Sequence, residues 1–115
     1  MFSVTKLPLV TNVFRRFVIC NEGFTIERYI HGMDAVYNDI AQWDFKDLPK
    51  VFGAKEGQAG AFQIKTKAQV RQLFENEKFN AAEVLQVVEL YIPKQDAPRG
   101  LKLTAEASAR TNAKQ

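Results

Sequence analysis

Residues 84–92 read VLQVVELYI, the most strand-like run in the chain. Alternation puts Val84, Gln86, Val88, Leu90 and Ile92 on one face and Leu85, Val87, Glu89 and Tyr91 on the other. Both faces are mostly apolar, so this strand is expected to be central, parallel and covered on both sides. Pro93 closes it. Upstream, Thr66-Lys67-Ala68-Gln69 has the spacing of a capping box and predicts a helix whose Val70, Leu73 and Phe74 share a core-facing side. Residues 61–65 suit a short strand before it, and 55–60 form a polar, glycine-bearing loop.

Residues 44–52 are predicted helical, with Gly53 after them. Pro49 inside that stretch predicts a kink, or a true start near Asp47. Residues 33–43 read as irregular. Residues 14–20 read as a second strong strand, because Phe17, Val18, Ile19 and Cys20 are continuously apolar, as in a strand covered on both faces. Thr25 is placed to cap a short helix over 26–31, and Gly32 to stop it. Ile26, Tyr29 and Ile30 share a face of that helix, with Glu27 and Arg28 off it. Beyond Pro93, the stretch from Ala97 has helical composition (Leu101, Leu103, Ala105, Ala107) and frays over 111–115. The order strand, helix, helix, strand, helix, strand, helix predicts an α/β fold: a partial three-layer sandwich on a small, mainly parallel sheet with right-handed crossovers.

The 115 residues suffice for one small domain. Hydrophobic residues make up 46% and charged residues 25%, a globular composition, with nine phenylalanines for the core. The formal net charge is +3, but Lys and Arg are scattered among acids and no basic run exceeds Arg15-Arg16. That argues against a nucleic-acid module, which would gather its cations on one face. Cys20 is the single cysteine, so neither an internal disulfide nor a thiolate metal cage is available; it reads as an inert buried thiol. No apolar stretch reaches the length of a membrane span. Residues 1–21 lack acids, but their apolar residues feed into the 17–20 run, which favours a lead-in to a strand over a targeting signal.

Chemistry is expected where the first strand turns into the first helix, because ligands of open α/β sheets sit beyond the carboxyl ends of strands. Asn21-Glu22-Gly23 occupies that place. An asparagine oxygen and a glycine carbonyl both suit a hard cation such as Mg²⁺, glycine lets the main chain come close to a ligand, and a helix start suits phosphate. The same Asn-x-Gly spacing also makes an ordinary turn.

The longer stretch CNEGFTIERYIHG, residues 20–32, resembles the segment Asn-(Asp/Glu)-Gly-(Tyr/Phe)-Thr-Ile-Glu that closes the cofactor motif of thiamine-diphosphate-dependent 2-keto acid decarboxylases. YNDIAQWDF at 37–45, VFGAK at 51–55, VELYIPKQDAP at 88–98 and TNAKQ at 111–115 look like the C-terminal end of fungal pyruvate decarboxylases. The likeness runs in order from residue 17 to 115. It implies that residues 17–115 are the C-terminal part of a diphosphate-binding domain, with 1–16 an atypical lead-in. It implies Asn21 as a side-chain ligand of Mg²⁺ and Gly23 as a main-chain ligand. Ile26 would pack near the reactive centre of thiamine diphosphate, and Glu27 would be the carboxylate that faces substrate and moves protons. The implied reaction is non-oxidative decarboxylation of pyruvate to acetaldehyde and CO₂ in a cytoplasmic homo-oligomer, dimer or tetramer. His31, the one histidine, inherits no role, and Trp43 reads as a packing residue. Glu22 and Phe24 stand where Asp and Tyr are the commoner choices.

The family motif opens with Gly-Asp-Gly about one βα unit, roughly 30 residues, before the asparagine. Residues 1–14, MFSVTKLPLVTNVF, contain neither Asp nor Gly. One of three implied protein ligands to the metal is thus lacking, and so is the pyrimidine-binding domain. The expectation is a catalytically incomplete piece, about the last fifth of a decarboxylase, with open sheet edges and apolar faces. The alternative expectation is a non-catalytic fragment that docks on full-length decarboxylase subunits.

Overall fold

A computed structural model describes residues 14–114. Most of the 1–16 lead-in therefore lies outside the described residues. The chain is mixed helix and strand around an open three-stranded parallel sheet in the order β1-β3-β2. Its strands are β1 (Arg15–Cys20), β2 (Ala59–Ile64) and β3 (Leu85–Tyr91). β2 runs parallel to β3 in the register Ala59↔Leu85 to Ile64↔Leu90. At β1, Gln86 N–H donates to the Phe14 carbonyl and Ile92 N–H to the Cys20 carbonyl, each at 3.1 Å. The offset is the same at both ends, so that pairing is parallel too. The doubly apolar run at 84–92 is thus central, as its pattern demands.

The chain divides into two compact units. The first comprises residues 14–18 and Asp44–Leu90. Within it the crossover from β2 to β3 is made by α3 (Lys67–Glu75) and α4 (Glu77–Ala81). The Thr66 hydroxyl accepts from Gln69 N–H at 3.2 Å while the Gln69 side chain accepts from Thr66 N–H at 3.1 Å, the reciprocal cap the sequence predicts. On this side of the sheet Ile64, Leu73, Phe79 and Val88 form the core, with Phe62, Val70 and Leu90 packed against it. Phe79 meets the rings of Phe17, Phe62 and Phe74 edge-on. Phe74, expected inside, is mostly exposed. α4 carries no sequence expectation. Asn76 starts it by accepting from Phe79 N–H at 3.0 Å, and Ala82 ends it in the left-handed conformation more usual for glycine.

The other side of β3 in this unit faces a 3₁₀ turn (Phe45–Asp47) followed by α2 (Leu48–Val51). Of the two outcomes expected from Pro49, the structure shows the start near Asp47: Asp47 is the N-cap of α2, and the proline falls in the first turn, where it needs no partner for the N–H it lacks. Glu89 is 0% exposed. Its Oε1 accepts from Lys46 N–H at 2.9 Å and its Oε2 from Gln63 Nε2 at 3.0 Å. A buried carboxylate is tolerable when both oxygens are met in this way.

The second unit comprises Ile19–Trp43 and residues 91–114. Here α1 (Thr25–His31) packs on α5 (Arg99–Asn112). Along α5 the more buried positions are Leu101, Lys102, Ala105, Ser108 and Ala109, at helical spacing, with Ala105 fully covered. Leu103 and Ala107 face out, because a helix does not keep alternate residues on one side. Tyr29 Oη donates to the Gln95 carbonyl, and Lys102 Nζ lies 5.7 Å over the Tyr29 ring. Trp43, expected to be a packing residue, is 62% exposed.

β1 departs from its pattern. Phe17 and Ile19 are exposed and only Cys20 is buried. A continuously apolar run reports what a strand is suited to lie beneath, and here β1 is an edge of the sheet with nothing described beyond it.

Candidate functional site

The site expected from the sequence lies in the second unit, directly after β1. The chain leaves Cys20 and enters a turn in which Glu22 has φ +64° and Gly23 φ +150°. Gly23 forms an antiparallel bridge with Asp39. Phe24 N–H donates to the Asn38 carbonyl and Ile40 N–H to the Glu22 carbonyl, each at 3.0 Å. A 3₁₀ turn at Val36–Asn38 brings that returning segment round. The region 33–43 is largely irregular, as expected, but residues 36–40 within it form a built return against the turn. Glycine at 23 is a steric necessity: a Cβ there would lie 1.9 Å from the Asn38 carbonyl oxygen and 2.7 Å from Arg28 Nη2.

Asn21 is oriented by a short relay. Its Nδ2 donates to Thr25 Oγ1 at 2.9 Å, and Thr25 Oγ1 donates to the Lys94 carbonyl at 3.0 Å. Thr25 has one proton, and a carbonyl can only accept, so the hydroxyl must offer Asn21 a lone pair. That fixes which end of the amide meets Thr25 and turns the Asn21 oxygen away from it. Thr25 is therefore not the helix cap its position suggests. It is the first helical residue, the N-cap is Phe24, and the hydroxyl serves the amide instead. Gly32 does stop α1, with N–H donated to the Arg28 carbonyl at 3.0 Å, though at ψ 130° it lies outside the left-handed helical well.

Arg28, read as pointing away from the packed face, is 1% exposed. Its Nη1 donates to the Met33 carbonyl at 3.0 Å, and its Nη2 to the Glu22 carbonyl at 2.9 Å and to Asp39 Oδ1 at 2.7 Å. The signal for this was charge: an acid eleven residues on, within reach once the chain doubles back. Glu27 and Ile26 are partly buried in the first turn of α1. Glu27 Oε2 is shut off from solvent and has no hydrogen-bond partner. His31 ends the helix and is exposed. The structure thus brings Asn21, Gly23, Ile26 and Glu27 into one junction. Among the described residues, no group of three or more His, Cys, Asp or Glu side chains could hold a metal ion.

A turn of this kind beyond the carboxyl end of a parallel strand is where α/β proteins bind small ligands. Comparison with known proteins narrows the class. Over 96 residues the chain is 60% identical to a pyruvate decarboxylase of Aspergillus fumigatus, covering 84% of this chain and 17% of that protein. It is 56% identical over 97 residues to a pyruvate decarboxylase of Aspergillus terreus, with the same coverage. It is 38% identical over 99 residues to pyruvate decarboxylase isozyme 1 of Saccharomyces cerevisiae, covering 86% and 17%. No family model matches the chain. Its homologues are fungal pyruvate decarboxylases, and it matches a C-terminal fragment of them. The chain spans 17% of the length of these curated relatives.

Proposed function

We propose that residues 17–115 are the C-terminal part of the diphosphate-binding domain of a pyruvate decarboxylase, and that the junction after β1 is half of its site for thiamine diphosphate and Mg²⁺. The observation that carries this is Glu27 Oε2, a carboxylate oxygen withdrawn from water with nothing to bond, in the helical turn that follows Asn21 and Gly23. Buried polar atoms left in this state are uncommon and mark a place where a ligand or a proton belongs.

The residues fit the group. Asn21 has its amide nitrogen committed to Thr25, which leaves its oxygen for a hard cation. Gly23 supplies a main-chain oxygen where no side chain could stand. Remaining ligands to the ion would come from the diphosphate, from water and from outside the described residues. When bound, thiamine diphosphate supplies the nucleophilic carbon and the electron sink for loss of CO₂. The chain's own work is then narrow. Ile26 offers apolar surface that keeps water from the reacting carbons. Glu27 Oε2 holds a proton beside the substrate and yields it as the product forms, the ordinary labour of a general acid. With two of the three protein ligands that the resemblance implies, the chain alone is expected to bind the cofactor poorly and to release no acetaldehyde. Cytoplasmic location and a homo-oligomeric parent enzyme belong to the same proposal.

The test is a chimera of the Aspergillus fumigatus enzyme in which residues 17–115 replace the matching segment. It should convert pyruvate to acetaldehyde, and Glu27→Gln within it should lower kcat roughly 10²–10⁴-fold. A Glu27→Gln chimera with full activity would remove Glu27 from the chemistry. A folded chimera that binds neither Mg²⁺ nor cofactor would remove the site.

One observation favours a second role. The first unit carries an open apolar groove of about 790 Å³ lined by Val18, Phe45, Leu48, Phe52, Leu85 and Val87. A fragment with such a groove can dock on full-length decarboxylase subunits and disturb their assembly. Capture of the Aspergillus fumigatus enzyme by the immobilised chain, lost on Phe52→Glu, would support this; no capture would dismiss it.

A further inference from the structure

Arg28 stands at the centre of the junction, yet neither metal ligation nor proton transfer uses it. Its guanidinium gathers acceptors from three separate stretches: the Glu22 carbonyl in the turn, the Met33 carbonyl past the end of α1, and the Asp39 carboxylate in the returning segment. Glu22 occupies the left-handed region at φ +64°, a conformation that costs a non-glycine residue about 1 kcal/mol and persists only when its surroundings hold it. What holds it here are two donors on its carbonyl, Arg28 Nη2 at 2.9 Å and Ile40 N–H at 3.0 Å. Asp39, on the same guanidinium nitrogen, anchors the segment that carries Ile40. Gly23 sits directly under this clamp, with the site of its absent Cβ 2.7 Å from Arg28 Nη2.

We propose that Arg28 is the positioning residue of the Glu22–Gly23 turn, and through it of the main-chain oxygen that Gly23 would offer a divalent cation. The link to the cation rests on the function proposed above; the hold on the turn does not. Once the Glu22 carbonyl is fixed, the plane of the Glu22–Gly23 peptide is fixed with it, and the next peptide, which carries the Gly23 oxygen, is held by Phe24 N–H on the Asn38 carbonyl at 3.0 Å. Arginine suits the task because a planar fork can serve several acceptors in set directions, whereas a lysine ammonium is a point charge on a flexible stem.

The experiment is amide hydrogen exchange by NMR on the full chain, with Arg28→Lys, Arg28→Met and Asp39→Asn. In folded Arg28 variants, Phe24 and Ile40 amides should exchange up to roughly tenfold faster, with α3 and α5 amides unchanged. Arg28→Lys should lose less than Arg28→Met. Asp39→Asn keeps size and an acceptor, so it remains informative if Arg28→Met does not fold; it should speed exchange at Ile40 alone a few-fold. Titration with Mg²⁺ and thiamine diphosphate, read at the Gly23 amide, should show affinity weakened about tenfold in Arg28→Met and partly restored in Arg28→Lys. Wild-type protection of Phe24 and Ile40 in folded Arg28→Lys, with wild-type protection of Ile40 in Asp39→Asn, overturns the positioning role, as does loss of protection spread evenly over the unit. A wild-type chain that shows no response to Mg²⁺ and cofactor counts against the proposed function, while the exchange pattern still decides Arg28.

Discussion

Gly23 shows how much one missing methyl group can settle. Its backbone lies where the Asn38 carbonyl and the Arg28 guanidinium already are, at a φ of +150° that L side chains rarely adopt. Gly23→Ala is expected to destabilise the chain by about 3 kcal/mol, through strain and forced displacement of the returning segment. Denaturant melts would measure the loss, and the Phe24 and Ile40 amides would be the first to lose protection. Little of this was legible beforehand. Asn21 and Gly23 could be named because an amide and a glycine are chemically conspicuous at a strand end, whereas Ile26 and Glu27 could be named only through the family resemblance. Arg28 could not be placed, because its role depends on a chain return through 33–40 that no periodicity announces, nor could Thr25, whose hydroxyl bonds the distant Lys94 carbonyl. A buried arginine looks, in sequence, like any surface cation.

Elements were legible in proportion to how much of their own stabilisation is local. α3 announced itself because its cap is written in four consecutive residues, and Thr66→Ala should cost about 1 kcal/mol, read as a lower melting midpoint. β3 was legible because two apolar faces leave a strand only one place in a sheet. α4 escaped notice, being five residues held by an Asn76 cap and by the burial of Phe79, a tertiary fact. α5 was found, but its inner face was not: Ala105 lies against covered surface because it is small, and hydrophobicity alone pointed equally to Leu103.

At the scale of the whole molecule, the open sheet leaves much apolar surface uncovered. Phe52 is 83% exposed, and Val36, Tyr37, Val51 and Ile19 are also largely open. A net charge of +3 gives weak protection against self-association. The isolated chain is expected to bind a hydrophobic dye such as ANS under native conditions and to associate as concentration rises. Phe52→Glu should reduce both, by dye fluorescence and light scattering, without lowering the melting midpoint. Exposed edges and faces of this kind could be foreseen from a short chain with strong strands. The particular groove could not, since it depends on Pro49 breaking the 44–52 segment into two pieces. No helix among the described residues is long and apolar enough to cross a membrane.

The bonds that shape the junction differ greatly in reach. Those that tie Asn21 to Thr25 and Arg28 to Met33, Glu22 and Asp39 span 4 to 11 residues. Those that tie Thr25 to Lys94 and Tyr29 to Gln95 span 69 and 66. Closing the longer loops costs about 1.5 kcal/mol more in chain entropy than closing the longest of the short ones. Folding therefore has a natural sequence here: the knot around Arg28 ties early from its own neighbourhood, and the proton of Thr25, which aligns the Asn21 amide, finds its carbonyl only at the late arrival of the chain's distant end.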